Sequence, residues 1–148
     1  MRTTDFSRAP AAARGGAMFV GATRYRGPVT LLRLLPRWLR MVRDLKRVRG
    51  YCWHHLYWQP PFTLGTIAFF TDRDAMLRFA RTREHRALMT WVTDGQRNAT
   101  AGFIRLYTAD PAGYSNGRWR AEGDQMAAID NFTPLSREAA GPPVTVHR

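Results

Sequence analysis

The residues best equipped for chemistry crowd into one stretch, GYCWHHLYWQPPF, residues 50–62. It holds His54 and His55, Trp53 and Trp58, Tyr51 and Tyr57, and Cys52, the only cysteine of the chain. Adjacent histidines suggest a metal or haem site. The stretch reads as a strand, however, and successive strand side chains point to opposite faces. From a regular strand, His54 and His55 cannot ligate the same metal. One face takes Tyr51, Trp53, His55 and Tyr57, and the other takes Cys52, His54, Leu56 and Trp58. A bulge would break that alternation, and nothing in the sequence asks for one. A two-residue turn at Pro60-Pro61 would put Trp53 and His55 on a face with Thr66, Ala68 and Phe70. One residue more or fewer reverses the assignment. A third histidine, His85, lies in a polar run between Glu84 and Arg86. It is either an exposed helix histidine or a group for acid/base work or axial haem ligation.

Other chemical signatures are missing from the sequence. A lone cysteine and a diverging histidine pair give no zinc spacing. No Gly-rich nucleotide motif and no nucleophile elbow occurs. The carboxylates are scattered, with no pair at an evident catalytic separation.

The elements that must position these groups follow from periodicity and punctuation. The 148 residues fit one domain with a single core, and the 45% hydrophobic fraction is that of a globular chain. Residues 1–16 read as a flexible N-terminal arm. Residues 17–25, AMFVGATRY, read as a first strand. In the next segment Leu31, Leu35, Trp38, Val42 and Leu45 recur at four-and-three spacing, the mark of a buried helix face. Pro36 starts that helix or kinks it, and Gly50 stops it. Residues 51–58 form a second strand and FTLGTIAFF a third, with the prolines between them. TDRD caps a second helix, in two segments that meet near Thr82 and bury Met76, Phe79, Ala80, Leu88, Trp91 and Val92. ATAGFIRLYTA, residues 99–109, is the fourth strand. Residues 110–148 read as an extended C-terminal tail.

The order strand, helix, strand, strand, helix, strand is the split βαβ, ferredoxin-like pattern of an α+β domain over residues 17–109. It implies a four-stranded antiparallel sheet with helices on one face. The third strand is apolar on both faces, with Ile67 and Phe69 on one and Leu64, Ala68 and Phe70 on the other. A sheet of that kind is covered twice, and a homodimer packing sheet on sheet is the economical solution.

The 23 Lys+Arg against 11 Asp+Glu give +12, a balance that favours polyanions. All the basic residues except Lys46 are arginines, a bias that a GC-rich genome also produces. Arg33, Arg37, Arg40, Arg43 and Arg47 line the outer side of the first helix. They form either a solvated face of snorkelling side chains or, through Arg33, Arg37 and Arg40, a surface for an acidic partner or a membrane. Aromatics on a four-stranded sheet resemble an RNA-binding module in outline. The third strand carries no Lys or Arg where such a module needs them, so nucleic acid is disfavoured. The single cysteine and the absence of an apolar signal region give a cytoplasmic expectation. No segment approaches the ~20 apolar residues of a membrane span.

The GY that opens the second strand, the run FTLGTIAFFTDRDAMLRFARTREHRALM and the strand GFIRLY resemble the dimeric α/β-barrel superfamily. That superfamily includes antibiotic-biosynthesis monooxygenases and haem-degrading enzymes. The resemblance covers residues 17–108 and is nearest to small actinobacterial-type proteins described as monooxygenase-like. It implies a dimeric α/β barrel with a pocket between sheet and helices. It also implies an oxygenase-type reaction, in which a substrate carbanion meets oxygen in a dry apolar site with a base. In relatives a Trp ends the third strand. Here Phe70 stands there, so the Asn-Trp-His trio of the haem-degrading branch is not reproduced. The expected roles are His55 or His85 as the proton-moving group and Trp53, Tyr57, Phe70, Phe79 and Trp91 as the wall for a small aromatic substrate. Either no cofactor is required or haem binds, with His85 as axial ligand and arginines on its propionates. The alternative is a non-catalytic dimeric protein that uses the same pocket for a ligand or the basic helix for a partner.

Overall fold

The computed structural model describes residues 2–121. They divide between two compact units. Residues 15–108 form the larger and carry all the strands and α-helices of the described residues: β1 (Ala17–Tyr25), α1 (Pro28–Arg47), β2 (Tyr51–Gln59), β3 (Thr63–Phe70), α2 (Arg73–Ala80), α3 (Arg83–Val92) and β4 (Ala99–Thr108). The terminal segments, expected as separate arms, contribute residues 2–14 and 109–121 to the smaller unit. There Thr3 and Ser115 exchange backbone hydrogen bonds of 3.1 and 2.7 Å, and the Arg2 guanidinium lies over the Tyr114 ring. Most of the expected C-terminal tail, residues 122–148, lies outside the described residues.

The four strands form one antiparallel sheet in the order β2-β3-β1-β4. With three helices this is the expected α+β, ferredoxin-like arrangement. The helix side of the sheet is sealed by Ala68 and Phe70, both fully buried, with Phe79 of α2 stacked on Phe70 at 6.0 Å. Leu34 and Leu45 of α1 and Leu88 of α3 complete this core. Burying such side chains stabilises a fold by about 1.5–3 kcal/mol each.

Each α-helix starts on a residue suited to it. Pro28 stands in the first turn of α1, where a missing N–H costs nothing. The Asp72 side chain accepts from the Ala75 amide at 2.7 Å and caps α2. The Thr82 hydroxyl accepts from the His85 amide and caps α3. Gly50, at φ +94°, turns the chain from α1 into β2. A Cβ there would also meet Ala75 Cβ and Thr71 Oγ1 at 2.6 Å.

Of the two readings of Pro36, a helix start is ruled out, since α1 runs from Pro28 to Arg47 with Pro36 inside it. Two local expectations are corrected. Leu35 is not on the buried face: it is 52% exposed, and Leu34 and Met41 are buried instead. The β2-β3 connection is not a two-residue turn. Gln59 pairs with Thr63, which leaves Pro60, Pro61 and Phe62 between the strands. That extra residue reverses the register.

Candidate functional site

The reversed register decides which histidine faces the helices. His54 pairs with Ala68 and Leu56 with Thr66, so both share the face of buried Phe70. His55 pairs with Ile67, Trp53 with Phe69 and Tyr57 with Gly65, on the opposite face. His55 is thus not the cavity histidine, and Trp53 and Tyr57 are not cavity walls. Trp53 stacks on His55 at 5.8 Å and meets the tilted Phe69 ring at 5.9 Å on the outer side. Tyr57 lies flat over Gly65, where a Cβ would come within 2.0 Å of its ring.

A second irregularity completes the site. The β2-β3 register shifts between Tyr51 and Trp53, so that Tyr51 lies opposite Phe70. Without this bulge Tyr51 and His54, three residues apart, would point to opposite faces. With it, the Tyr51 hydroxyl and His54 Nδ1 are 2.5 Å apart. Burial raises the Tyr51 hydroxyl above its ordinary value, with the neighbouring Cys52 adding to it.

Between the helices and this face lies a cavity of about 620 Å³. Its apolar wall includes Phe19 of β1, Leu34, Trp38 and Met41 of α1, Leu56 of β2, Leu64 of β3, Phe79 of α2 and Leu88 of α3. The polar members are few: Thr23, Tyr25, Thr66 and Thr100 from the strands, Thr93 and Gln96 beyond α3, and the two histidines His54 and His85. Among the described residues no Asp, Glu, Lys or Arg stands in the wall. Burial pushes the Tyr25 hydroxyl up to about 12, so it remains a proton donor.

His85 is held by α2 and α3 together. Its ring meets the edge of Phe79 at 4.9 Å, and its Nδ1 lies 3.0 Å from the Ala80 carbonyl oxygen. A carbonyl only accepts, so Nδ1 carries the proton and Nε2 carries the lone pair. Burial holds His85 below the ordinary imidazole value, against the opposing pull of the Ala80 carbonyl. His54 is likewise lowered, first by burial, then by the charges of Lys46 and His55. Two neutral imidazoles in an apolar wall can accept or donate a proton near neutral pH.

Of the seven sequence-predicted site residues, His85 and Phe79 reach the cavity wall. Phe70 lies beneath it, fully buried against Phe19 and Phe79. Trp91 packs away from it, 4.9 Å beneath the Arg37 guanidinium and 6.4 Å from Tyr25. His54, Tyr51, Tyr25 and Trp38 escaped selection. Trp38 had the helix period to mark it; His54 and Tyr51 depended on a turn length and a bulge. Among the described residues no group of three or more His, Cys, Asp or Glu side chains could hold a metal. None of the described helices is long and apolar enough to cross a membrane.

No protein-family model and no curated protein matches the chain. Solved structures do. SnoaB, a cofactor-independent oxygenase from Streptomyces nogalater, is 21% identical, with a TM-score of 0.51 over 64% of this chain and 92% of its own. A protein described as an antibiotic biosynthesis monooxygenase is 18% identical, with a TM-score of 0.54 over 64% of this chain and 99% of its own. Rv0793 from Mycobacterium tuberculosis is 13% identical, with a TM-score of 0.54 over 63% and 93%. At these identities the likeness is one of fold: the chain has the fold of the antibiotic biosynthesis monooxygenase-like proteins.

Proposed function

We infer that this chain is a monooxygenase-like enzyme that needs no cofactor and oxidises a flat aromatic compound with an acidic C–H, such as a methylene set between aromatic rings. The observation that carries this reading is the apolar cavity with two neutral histidines and no carboxylate. The oxygenase named among the structures of similar fold accords with it.

His85 is the base. Its Nε2 takes the proton from the methylene, and the apolar wall keeps water from competing. His54 is the donor. The raised Tyr51 hydroxyl keeps its proton and donates a hydrogen bond to Nδ1, which leaves Nε2–H to hold the developing oxyanion. The carbanion passes an electron to O2, the radical pair joins as a peroxide, and the imidazolium returns its proton. Loss of water leaves a carbonyl, so R2CH2 and O2 become R2C=O and H2O. Haem would need propionate cations as well as the His85 ligand. Among the described residues the wall offers no Arg or Lys for them.

A homodimer accompanies this reading. Trp53, Phe103 and Tyr107 on the outer face are 39%, 54% and 46% exposed, an apolar surface that a second copy would cover. Sedimentation as a monomer at micromolar concentration would refute that part.

The enzyme itself is tested in an oxygen electrode with anthrone- and quinol-type compounds. Uptake of O2, with its isotope label in the product carbonyl, is the expected result. Binding of the same compounds without uptake would sink the enzyme and leave the ligand-binding protein.

A further inference from the structure

We propose that the exposed face of α1 docks this protein on an anionic bilayer and that the substrate enters the cavity from that bilayer. The second half rests on the function proposed above. Val29, Leu32, Leu35 and Leu39 are 59%, 73%, 52% and 55% exposed, at three- and four-residue spacing along one side of the helix. Neighbours at that spacing share a helix face. Four large apolar side chains in a row, each more than half in water, form a surface that wants a partner.

The charges around the row say which partner. Arg33 lies within it, and Arg40, Arg43, Lys46 and Arg47 follow it toward the helix end, all exposed. Asp44 is the only acidic residue of α1. Arg40 is paired with Glu84 at 3.3 Å. Among the described residues no ion pair engages Arg43, Lys46 or Arg47. An apolar stripe flanked by cations is the pattern of a helix lying in the headgroup layer. Each cation near an anionic surface strengthens binding by about 1 kcal/mol. A nucleic acid or an acidic protein would answer the cations and leave the leucines wet.

Leu35 ties this surface to the cavity, since it is half exposed and also stands in the cavity wall. Leu31, Leu34 and Trp38 of the same helix continue the wall inward. An apolar substrate dissolved in the lipid would pass Leu35 into the cavity along an apolar path.

The test is co-sedimentation of the full chain with vesicles of phosphatidylcholine alone or of phosphatidylcholine with phosphatidylglycerol, at low and high salt. The chain is expected to bind the anionic vesicles, and less at high salt. Arg43→Gln with Lys46→Gln and Arg47→Gln should lower partitioning by about a hundredfold or more. Leu32→Gln with Leu39→Gln lies outside the cavity wall and should lower it by more than about tenfold. Thermal melts followed by circular dichroism check that the variants fold. The lipid and salt dependence of the wild type decides even if they do not. Equal binding to both vesicles, or none, overturns docking. So does a charge-dependent interaction that heparin abolishes and the leucine changes leave intact, which would mark a bare polyanion patch. Loss of self-association in the leucine variant would assign the stripe to a second copy and overturn docking too. Vesicle binding reads no turnover, so a chain that binds anionic vesicles without consuming oxygen refutes the enzyme and substrate entry from the bilayer, and leaves docking standing.

Discussion

On the helix-covered face of the sheet Ala68 and Phe70 are fully buried, with Phe79 packed above them at 2% exposure. On the other face Trp53, Phe103 and Tyr107, rings of similar size, stay about half in water. Both faces also carry one member of the histidine pair. The difference lies in the second layer. Only α1, α2 and α3 give that face a cavity wall, contribute the burial that lowers the histidines and fix the His85 tautomer. Aromatic content alone does not make a site; a site also needs a lid of helices.

The largest effect expected from this contrast is on stability. Phe79→Ala removes a buried ring and should cost about 3–5 kcal/mol, read from denaturant unfolding. Phe103→Ala on the outer face should cost the isolated subunit less than about 1 kcal/mol and act mainly on self-association. Equal losses in dilute protein would erase the distinction between the faces.

A smaller effect is expected within the outer face. Gly65→Ala drives a methyl into the Tyr57 ring, where the built Cβ lies 2.0 Å from the nearest ring atom. The half-buried ring can swing aside, giving up its 3.5 Å contact with the Gly21 carbonyl. A loss of about 1–3 kcal/mol follows, and Tyr57→Ala in the same chain should relieve most of it. No relief would mean that Tyr57 does not occupy this place.

The smallest effect is a pH dependence from the helix side. His85 and His54 titrate below the ordinary 6.5 in the folded protein, mainly through burial. The unfolded chain therefore takes up their protons first as pH falls. Their contribution is complete above about pH 6.5 and is lost as pH drops through the folded values. Denaturant midpoints should decline as pH falls below about 7, and His85→Gln should flatten the decline. An identical slope in His85→Gln would show that the ring is not buried in its neutral form.

Much of this architecture could be read from the residues. Apolar period, the TDRD cap, the break near Thr82 and alternation in β3 gave the element order, the two-segment second helix and the sheet with two apolar faces. The His54 and His55 assignment could not be read the same way. Register depends on whether Phe62 belongs to the turn or to β3, and a single aromatic residue after two prolines satisfies either. The bulge at Cys52 adds a residue without any Gly or Pro to announce it. Leu35 shared its spacing with truly buried neighbours, and only the packing of α1 places it at the cavity mouth. Helix-borne members of the site were therefore easier to find than strand-borne ones, since a helix face tolerates a one-residue error that a strand does not.

The most direct test of the account is oxygen uptake with an anthrone-type compound in three single variants. The site on the helix side predicts a loss of about a hundredfold or more for His85→Gln, a clear loss for His54→Gln, and a rate within about twofold of wild type for His55→Gln. Full activity in both His85→Gln and His54→Gln, with activity lost in His55→Gln, would place the chemistry on the other face of the sheet and contradict the account.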